Sequence, residues 1–314
     1  MSISAIVPVW NGREHLARLL DSLDAQTLGA SEIIAVDNGS TDGAPDLARA
    51  RGARVIAMGS NAGFAAAVNR GIREARGEWV AILNSDVELA SDYFALLTAT
   101  KAPFATGKIL SPSGTLDATF DLTVRGGVTW RAGSGMPDGP PFDSPCSIAS
   151  APWTAILLRT AIFERTGLLE ESFESYLEDV DFGLRCAALG LLGRYVPEAR
   201  ATHIGSASLG RWHPETVRRI SRNQMLLTAR HPALRGAGVP IVAQGLWGLL
   251  ALRHGCGGAW LGGKLEGRRL RSCQKPVTDI AVLNQILESN AHFIRRHNRD
   301  LYWRLYFMLT PGAK

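Results

Sequence analysis

What most constrains this chain is an alternation that runs from Ile3 to Leu83. Short apolar runs rich in β-branched residues alternate with segments whose apolar positions recur every three or four residues. Ile3 to Val9 reads as a buried strand, Trp10-Asn11-Gly12 as a turn, and the next segment as a helix with Leu16, Leu19, Leu20 and Leu23 on one face. Ile33-Ile34-Ala35-Val36 is a second strand. It runs into Asp37-Asn38-Gly39-Ser40-Thr41-Asp42-Gly43, whose Ser, Asn and Asp can cap a helix around Ala44 to Ala50. Arg54 to Met58 is a third strand, Ala65 to Ile72 an alanine-rich helix, and Trp79 to Leu83 a fourth strand. Strand–helix–strand units with short links predict an α/β fold built on a mostly parallel sheet wrapped by helices.

In such a sheet ligands bind beyond the carboxyl ends of the strands, so the residue that ends each apolar run matters. The fourth run ends on Asn84-Ser85-Asp86, which puts a carboxylate where a loop begins. Turn formation or capping is the commoner fate of such an Asp. From Pro103 to Ser150 the pattern weakens, and Gly133 to Pro141 reads as a long mobile loop, the kind that serves as a lid or binding loop. Thr154 to Arg159 is a strand, followed by a short helix through Phe163.

Tyr176-Leu177-Glu178-Asp179-Val180-Asp181 then opens a helix with Val180, Leu184, Ala187 and Ala188 on one face and Gly190 past its end. That places Asp179 at or near the N-cap, a role that stabilises by about 1 kcal/mol. Three acidic residues in four positions exceed what a cap needs and favour chemistry. Arg194 to Pro197 is a further strand, followed by Ala201 to Ser208 with His203.

The 314 residues suffice for one large core plus an appended piece, or two modest domains. Cys146, Cys186, Cys256 and Cys273 are scattered with no CxxC, which argues for a reducing compartment and against a disulfide framework. The N-terminus enters a strand directly, so no secretory signal is expected.

The net charge of +5 hides an asymmetry: residues 1–199 carry 16 Lys/Arg against 24 Asp/Glu, and residues 200–314 carry 18 against 5. An acidic body and a basic tail that meets something anionic are expected. After Gly210 the chain reads as basic helix, with Arg211, Arg218, Arg219, Arg222 and Arg230. Val239 to Leu252 is nearly all apolar yet short of the roughly 20 residues that span a bilayer. A second basic group, Lys264, Arg268, Arg269, Arg271 and Lys275, follows it. That composition points to an interfacial segment on anionic lipid; a helix buried on the catalytic body explains the apolar run almost as well. Ile280 to Leu309 reads as helical and mixes aromatics with arginines, but nothing else resembles a nucleic-acid module, and no nucleic-acid partner is expected.

Asp37, Asp86, Asp179 and His203 fall at strand ends or helix starts and can converge at one sheet edge. Loops offering Asn and Gly backbone N–H groups suit phosphate or a nucleobase, and hard oxygen ligands suit Mg²⁺ or Mn²⁺. A cation on a diphosphate neutralises a leaving group, while a separate carboxylate removes a proton from an incoming hydroxyl. The dipole at a helix N-terminus favours the ionised form that a general base needs. A Rossmann dehydrogenase would show GxGxxG after the first strand, where this chain has Pro8-Val9-Trp10-Asn11-Gly12.

Six blocks follow in order over residues 3–208. They are Ile6-Val7-Pro8-Val9-Trp10-Asn11-Gly12, Val36-Asp37-Asn38-Gly39-Ser40-Thr41-Asp42, Asn61-Ala62-Gly63-Phe64 with Asn69, and Leu83-Asn84-Ser85-Asp86. Tyr176-Leu177-Glu178-Asp179-Val180-Asp181 with Arg185, and His203 with Gly205 and Ser206, complete them. Together they resemble inverting glycosyltransferases of family 2 with the GT-A fold, in the rhamnosyltransferase-like branch.

The resemblance implies that Pro8, Asp37 and Asn38 sit against the nucleobase and ribose, and that Asn61, Gly63 and Asn69 line the nucleotide-sugar pocket. It implies that Asn84-Ser85-Asp86 replaces the metal-binding DxD, with Asp86 toward metal and diphosphate. Asp179 matches the expected general base, and His203 a position near metal or diphosphate; a buried structural histidine is the equal alternative. Two departures stand out. Ser85 stands where the branch usually has Pro, and Gly167-Leu168-Leu169-Glu170 stands where it usually has Gly-Gly-Phe-Asp, which bears on the sugar and acceptor.

The expectation is therefore a GT-A domain, a Rossmann-like nucleotide-diphospho-sugar transferase fold, over residues 1–210, with a basic helical appendage over 211–314. Its partners would be a dTDP- or UDP-sugar, with Mg²⁺ or Mn²⁺, and a cell-surface glycan or lipid-linked acceptor at the cytoplasmic face of an anionic membrane. The competing readings are a sugar nucleotidyltransferase, which should carry a glycine- and basic-rich triphosphate loop that residues 8–14 lack, and a non-catalytic sugar- or lipid-binding scaffold on a transferase fold.

Overall fold

A computed structural model describes residues 1–204, 212–277 and 280–311. In chain order the elements are β1 (Ile3–Val9), α1 (Arg13–Asp24), β2 (Glu32–Asp37), α2 (Ala44–Ala50), β3 (Arg54–Ala57), α3 (Phe64–Glu74), β4 (Trp79–Leu83), β5 (Val87–Leu89) and α4 (Tyr93–Ala99). There follow β6 (Phe104–Leu110), β7 (Leu116–Ala118), β8 (Asp121–Val124), β9 (Val128–Arg131), β10 (Cys146–Ile148), β11 (Ala155–Arg159), α5 (Ile162–Thr166), α6 (Glu178–Ala188) and β12 (Gly193–His203). The remainder is helical: α7 (Pro214–Arg230), α8 (Val239–Arg253), α9 (Gly257–Leu270), α10 (Ile280–His297) and α11 (Leu301–Leu309). Two compact units result. One is Met1–Phe120, Arg131–Glu174 and Leu192–Ala207; the other is Asp121–Trp130, Ser175–Leu191 and Ser208–Lys314.

The first unit is built on a sheet of order β10-β12-β6-β11-β4-β1-β2-β3. β4, β1, β2 and β3 pair in parallel, as crossover helices between consecutive strands require. Val9 lies opposite Asp37, so the strand ends after which Asn11 and Asn38 follow share one edge. The apolar runs are buried on both faces: α1 lays Leu16, Leu19, Leu20 and Leu23 into the core, and α3 can lie flat because Gly71 leaves no Cβ to strike Ile6. Beyond β4 the parallel pattern is interrupted, since β11 runs antiparallel to both β4 and β6, whereas β6 and β12 are again parallel.

The region of weak pattern is not one loop. It carries five short strands, β6 to β10, most of them too brief for an alternation to register. Within it the Gly133–Pro141 segment is pinned, which corrects the expectation of a free lid. The buried Lys108 ammonium reaches Asp138 at 2.5 Å and Asp143 at 2.9 Å, Phe142 is buried, and the Tyr195 hydroxyl donates to the Phe142 carbonyl at 2.9 Å.

The second unit is mostly helical. The C-terminal stretch expected to be helical forms two helices, α10 and α11, and the Asn298 side chain accepts from the Asp300 N–H between them (2.9 Å). α10 packs on the β8–β9 ribbon, where Asn290 donates to the Thr123 carbonyl at 2.9 Å.

Candidate active site

β4 ends at Leu83, and Asn84-Ser85-Asp86 forms the turn into β5. The Asn84 N–H donates to the Thr154 carbonyl at 2.9 Å, and the Asp86 carbonyl accepts from Ile204 N–H at 2.9 Å. β12 is longer than the expected Arg194–Pro197 strand. A register shift between Val196 and Arg200 lets it continue, and its last residue, His203, lies opposite Val87 on β5. That register sets the His203 ring beside Asp86, with Nε2 3.1 Å from Oδ1.

The other ring nitrogen, Nδ1, lies 2.9 Å from the Asp117 carboxylate on β7. Burial opposes a charge on His203, but the two carboxylates outweigh it and raise the imidazole to about 9. Burial likewise works against Asp117, and the His203 hydrogen bond still holds its carboxyl below the usual range. Asp86 itself is 5% exposed.

Could these residues hold a divalent ion? A 3.1 Å gap between Asp86 Oδ1 and His203 Nε2 is about that of adjacent ligands with bonds of about 2.1 Å. A carboxylate behind the far ring nitrogen is the usual way to orient a ligating imidazole. Among the described residues no group of three or more His, Cys, Asp or Glu is set to hold a metal alone. The donor set suits Mg²⁺ or Mn²⁺ bound by one or two protein groups, with substrate phosphate completing the shell.

The other strand-end residues of this unit form a connected set of loops. Pro8, half-exposed, lies opposite Val36. Asp37 accepts from the Ser40 N–H at 2.9 Å, and Asn11 accepts from the Thr41 N–H at 2.9 Å. Asn38 bridges to the next loop: its amide donates to Asn61 Oδ1 (3.2 Å) and the Gly63 carbonyl (3.1 Å) and accepts from the Ala62 N–H (2.9 Å). Gly63 is demanded by its surroundings. Its φ of 88° is left-handed, and an added Cβ would stand 2.9 Å from the Glu174 carbonyl oxygen.

Asn69 does not open onto this edge. It is 1% exposed; its two N–H donors go to the Leu169 carbonyl and Glu171 (2.9 Å each), and its oxygen accepts from the Leu169 N–H at 2.9 Å. It therefore holds the segment 169–171 in place.

Glu178, Asp179 and Asp181 belong to the second unit. Asp179 lies near the start of α6 as expected but is not its cap: the residue before α6 is Leu177, in the left-handed conformation (φ 68°), and that residue makes no side-chain cap hydrogen bond. Asp179 sits inside the first turn, 8% exposed, with Oδ1 accepting from the Val180 N–H at 2.8 Å, where the helix dipole favours its anion. Asp181 has a different occupation. Fully buried, it receives Arg185 Nε (2.9 Å) and Arg230 Nε (2.7 Å), with His231 Nε2 at 2.8 Å. Burial alone would raise its pKa, but Arg185, His231 and Arg230 hold it well below the ordinary carboxyl range. The acidic surplus of the motif is thus partly structural.

Gly205, Ser206 and Arg211 lie outside the described residues. Asp117 escaped the sequence reading. Its only signal is one acid between Leu116 and Ala118 in a region without pattern, and nothing local ties it to His203, 86 residues away.

Comparison with known proteins gives these features a family. The glycosyl transferase family 2 model matches residues 4–101, which carry the first four strands and Asp86. An N-acetylglucosaminyl-diphospho-decaprenol L-rhamnosyltransferase of Mycobacterium tuberculosis is 31% identical over 229 residues, 63% of this chain and 74% of that protein. Among solved structures, GalNAc-T7 with UDP, GalNAc and Mn²⁺ superposes with a TM-score of 0.66 at 15% identity, over 94% of this chain and 58% of that longer one. The mannosyltransferase PcManGT of Pyrobaculum calidifontis, in complex with GDP-Man and Mn²⁺, has a TM-score of 0.51 at 14% identity, over 99% of this chain and 79% of its own. These likenesses show the GT-A fold, and the match over three-quarters of the mycobacterial enzyme shows the lineage: this chain belongs to glycosyltransferase family 2.

Proposed function

We propose that this glycosyltransferase moves a sugar, with inversion, from a nucleoside-diphosphate donor to a hydroxyl of a lipid-linked or cell-surface glycan acceptor. The observation that carries the reading is the pairing of Asp86, at the end of β4, with His203 Nε2 at 3.1 Å. Its catalytic domain is taken as residues 1–210, with the basic helical region 211–314 as its accessory. The donor is a dTDP- or UDP-sugar, and the 31% identity to a rhamnosyltransferase makes rhamnose the first sugar to test.

In this reading Pro8, Asp37 and Asn38 face the base and ribose, and Asn61 and Gly63 shape the loop beside them. Asn69 acts on the donor pocket through the 169–171 segment it anchors. Asn84 and Ser85 fix the turn that delivers Asp86. Asp86 and His203 would hold Mg²⁺ or Mn²⁺, which when bound neutralises charge on the leaving diphosphate. Asp179 accepts the proton of the acceptor hydroxyl, whose oxygen forms the new glycosidic bond as the bond to the diphosphate breaks.

Among the described residues no helix is long and apolar enough to cross a membrane. A peripheral position on the inner face of the cell membrane accords with the mycobacterial relative's decaprenol-linked acceptor and with the basic tail.

Purified protein with a panel of nucleotide sugars and Mn²⁺ tests the assignment. Asp179→Asn is expected to abolish transfer while nucleotide binding by calorimetry stays within about twofold, since a general base contributes roughly 10²–10⁴-fold to rate and little to ground-state affinity. Undiminished turnover would remove Asp179 as the base. Asp86→Ala is expected to weaken metal-dependent nucleotide binding, and an unchanged isotherm would remove it from the site.

A further inference from the structure

The second unit holds a pocket of about 830 Å³ among α7, α8 and α9 that the catalytic reading does not use. Its construction starts with glycine. α9 lies tightly on α7 because Gly263 and Gly267, one turn apart, face the carbonyls of Arg218 and Arg222 with no room for a Cβ. Lys264, beside Gly263, is thereby pressed between two amides: its Nζ donates to Gln224 Oε1 (2.9 Å) and Gln244 Oε1 (2.7 Å).

Both partners are neutral, and among the described residues no carboxylate pairs with Lys264. Burial without a countercharge lowers its ammonium to about 7, so its charge wants an anion. Trp260, in the same wall, has a buried Nε1 donor with no partner among the described residues. Arg235 and Arg271 also line the pocket, and none of its described lining residues is acidic.

Thr228, Ser272 and Gln274 also line the pocket, but most of its remaining wall is apolar, formed in part by Met225, Pro240 and Ile241. Ile241 is 79% exposed, and Leu249 and Leu252 farther along α8 are exposed as well. A site for a free inorganic anion has no use for that wall. We propose that this pocket receives the phosphate end of a lipid amphiphile, with the half-buried Lys264 as its counter-ion and the apolar stem leaving past Pro240 and Ile241. The proposal deepens the membrane-acceptor reading and is independent of Asp86 and Asp179, whose failure would show in nucleotide calorimetry for Asp86 and in turnover for Asp179 and leave lipid binding untouched. Phospholipid and isoprenoid phosphate share the required chemistry.

Flotation of the full chain with three vesicle types tests the site: phosphatidylcholine alone, and phosphatidylcholine carrying either phosphatidylglycerol or a long-chain isoprenoid phosphate at equal charge. Lys264→Gln is expected to weaken partition onto at least one anionic type by about tenfold, the scale of a lost charge-assisted hydrogen bond. Loss of the exposed Arg271 in Arg271→Gln should weaken it by roughly fivefold. The vesicle type that responds identifies the source of the phosphate. Unchanged partition of Lys264→Gln on both anionic types overturns the proposal, as does equal binding of the native chain to phosphatidylcholine alone. Displacement from vesicles by inorganic phosphate, beyond that of chloride at equal ionic strength, would show a soluble-anion site and overturn it too. If the unfolding midpoint shows that Lys264→Gln does not fold, Arg271→Gln decides: no loss of partition ends the idea.

Discussion

At the scale of single residues, neighbouring acids of one motif, both buried in the first turn of α6, meet different surroundings. Asp181 is enclosed by Arg185, Arg230 and His231, while Asp179 two positions earlier accepts from the Val180 N–H. Asp181→Asn leaves those cations buried without a countercharge and should destabilise by about 3–5 kcal/mol in denaturant unfolding. Its folded-state pKa is depressed, so its stabilisation is fully present above the unfolded value of about 3.9 and is lost as pH falls below that. An acid titration of stability should therefore decline less steeply below about pH 4 in Asp181→Asn than in the native chain.

In the proposed metal site Asp117 would act through His203, whose Nδ1 it meets at 2.9 Å. With Asp117→Asn the ring loses its anionic support, and Mn²⁺-dependent nucleotide binding should fall about 10- to 100-fold with the fold intact. An unchanged isotherm would make Asp117 a bystander. Of these groups, the sequence draws attention to Asp86, which ends an apolar run, and to Asp179, which lies in a cluster of three acids at a helix start. It conceals the difference between Asp179 and Asp181, since which side of a helix faces a cation is decided by residues some fifty positions on.

At the scale of elements, apolar runs mark the first four strands, leucine spacing marks α1, capping residues mark α2 and alanine content marks α3. Such signals carry no information on pairing direction, so the antiparallel insertion of β11 between β4 and β6 was not legible. Neither was the continuation of β12 past its irregularity to His203, nor the left-handed Leu177 ahead of α6, a conformation its side chain disfavours. Gly63 is the converse, a glycine whose need is plain once the fold is known. Gly63→Ala must put a Cβ against the Glu174 carbonyl at a left-handed φ, which should cost about 1–3 kcal/mol. Because the Gly63 carbonyl also accepts from Asn38, the same change should weaken nucleoside-diphosphate binding. A thermal melt read beside calorimetry checks both, and an unshifted midpoint would mean that the loop yields freely.

At the scale of the whole chain, charge is divided along the sequence: residues 200–314 carry 18 basic against 5 acidic side chains. Several of the basic groups are consumed internally, as Arg218 and Arg222 are by Glu266 and Arg230 is by Asp181. Arg268 and Arg269 at the end of α9 are exposed, and so are Leu261 and Leu265 earlier on the same helix. On the proposed anionic surface two forces would act, and salt separates them. Raising ionic strength from about 0.1 M to about 1 M shortens the screening length from about 10 Å to about 3 Å, which weakens attraction by exposed arginines and leaves apolar contact intact. Partition onto phosphatidylglycerol vesicles should therefore fall steeply with salt. Replacing Arg268 and Arg269 together by Glu should abolish most of the low-salt binding, at roughly 1 kcal/mol for each basic group lost near the surface. Replacing Leu261 and Leu265 by Ser should instead lower the salt-resistant remainder. Binding that ignores salt and the Arg268/Arg269 pair alike would assign attachment to the apolar face alone and leave the basic excess to some other anionic partner.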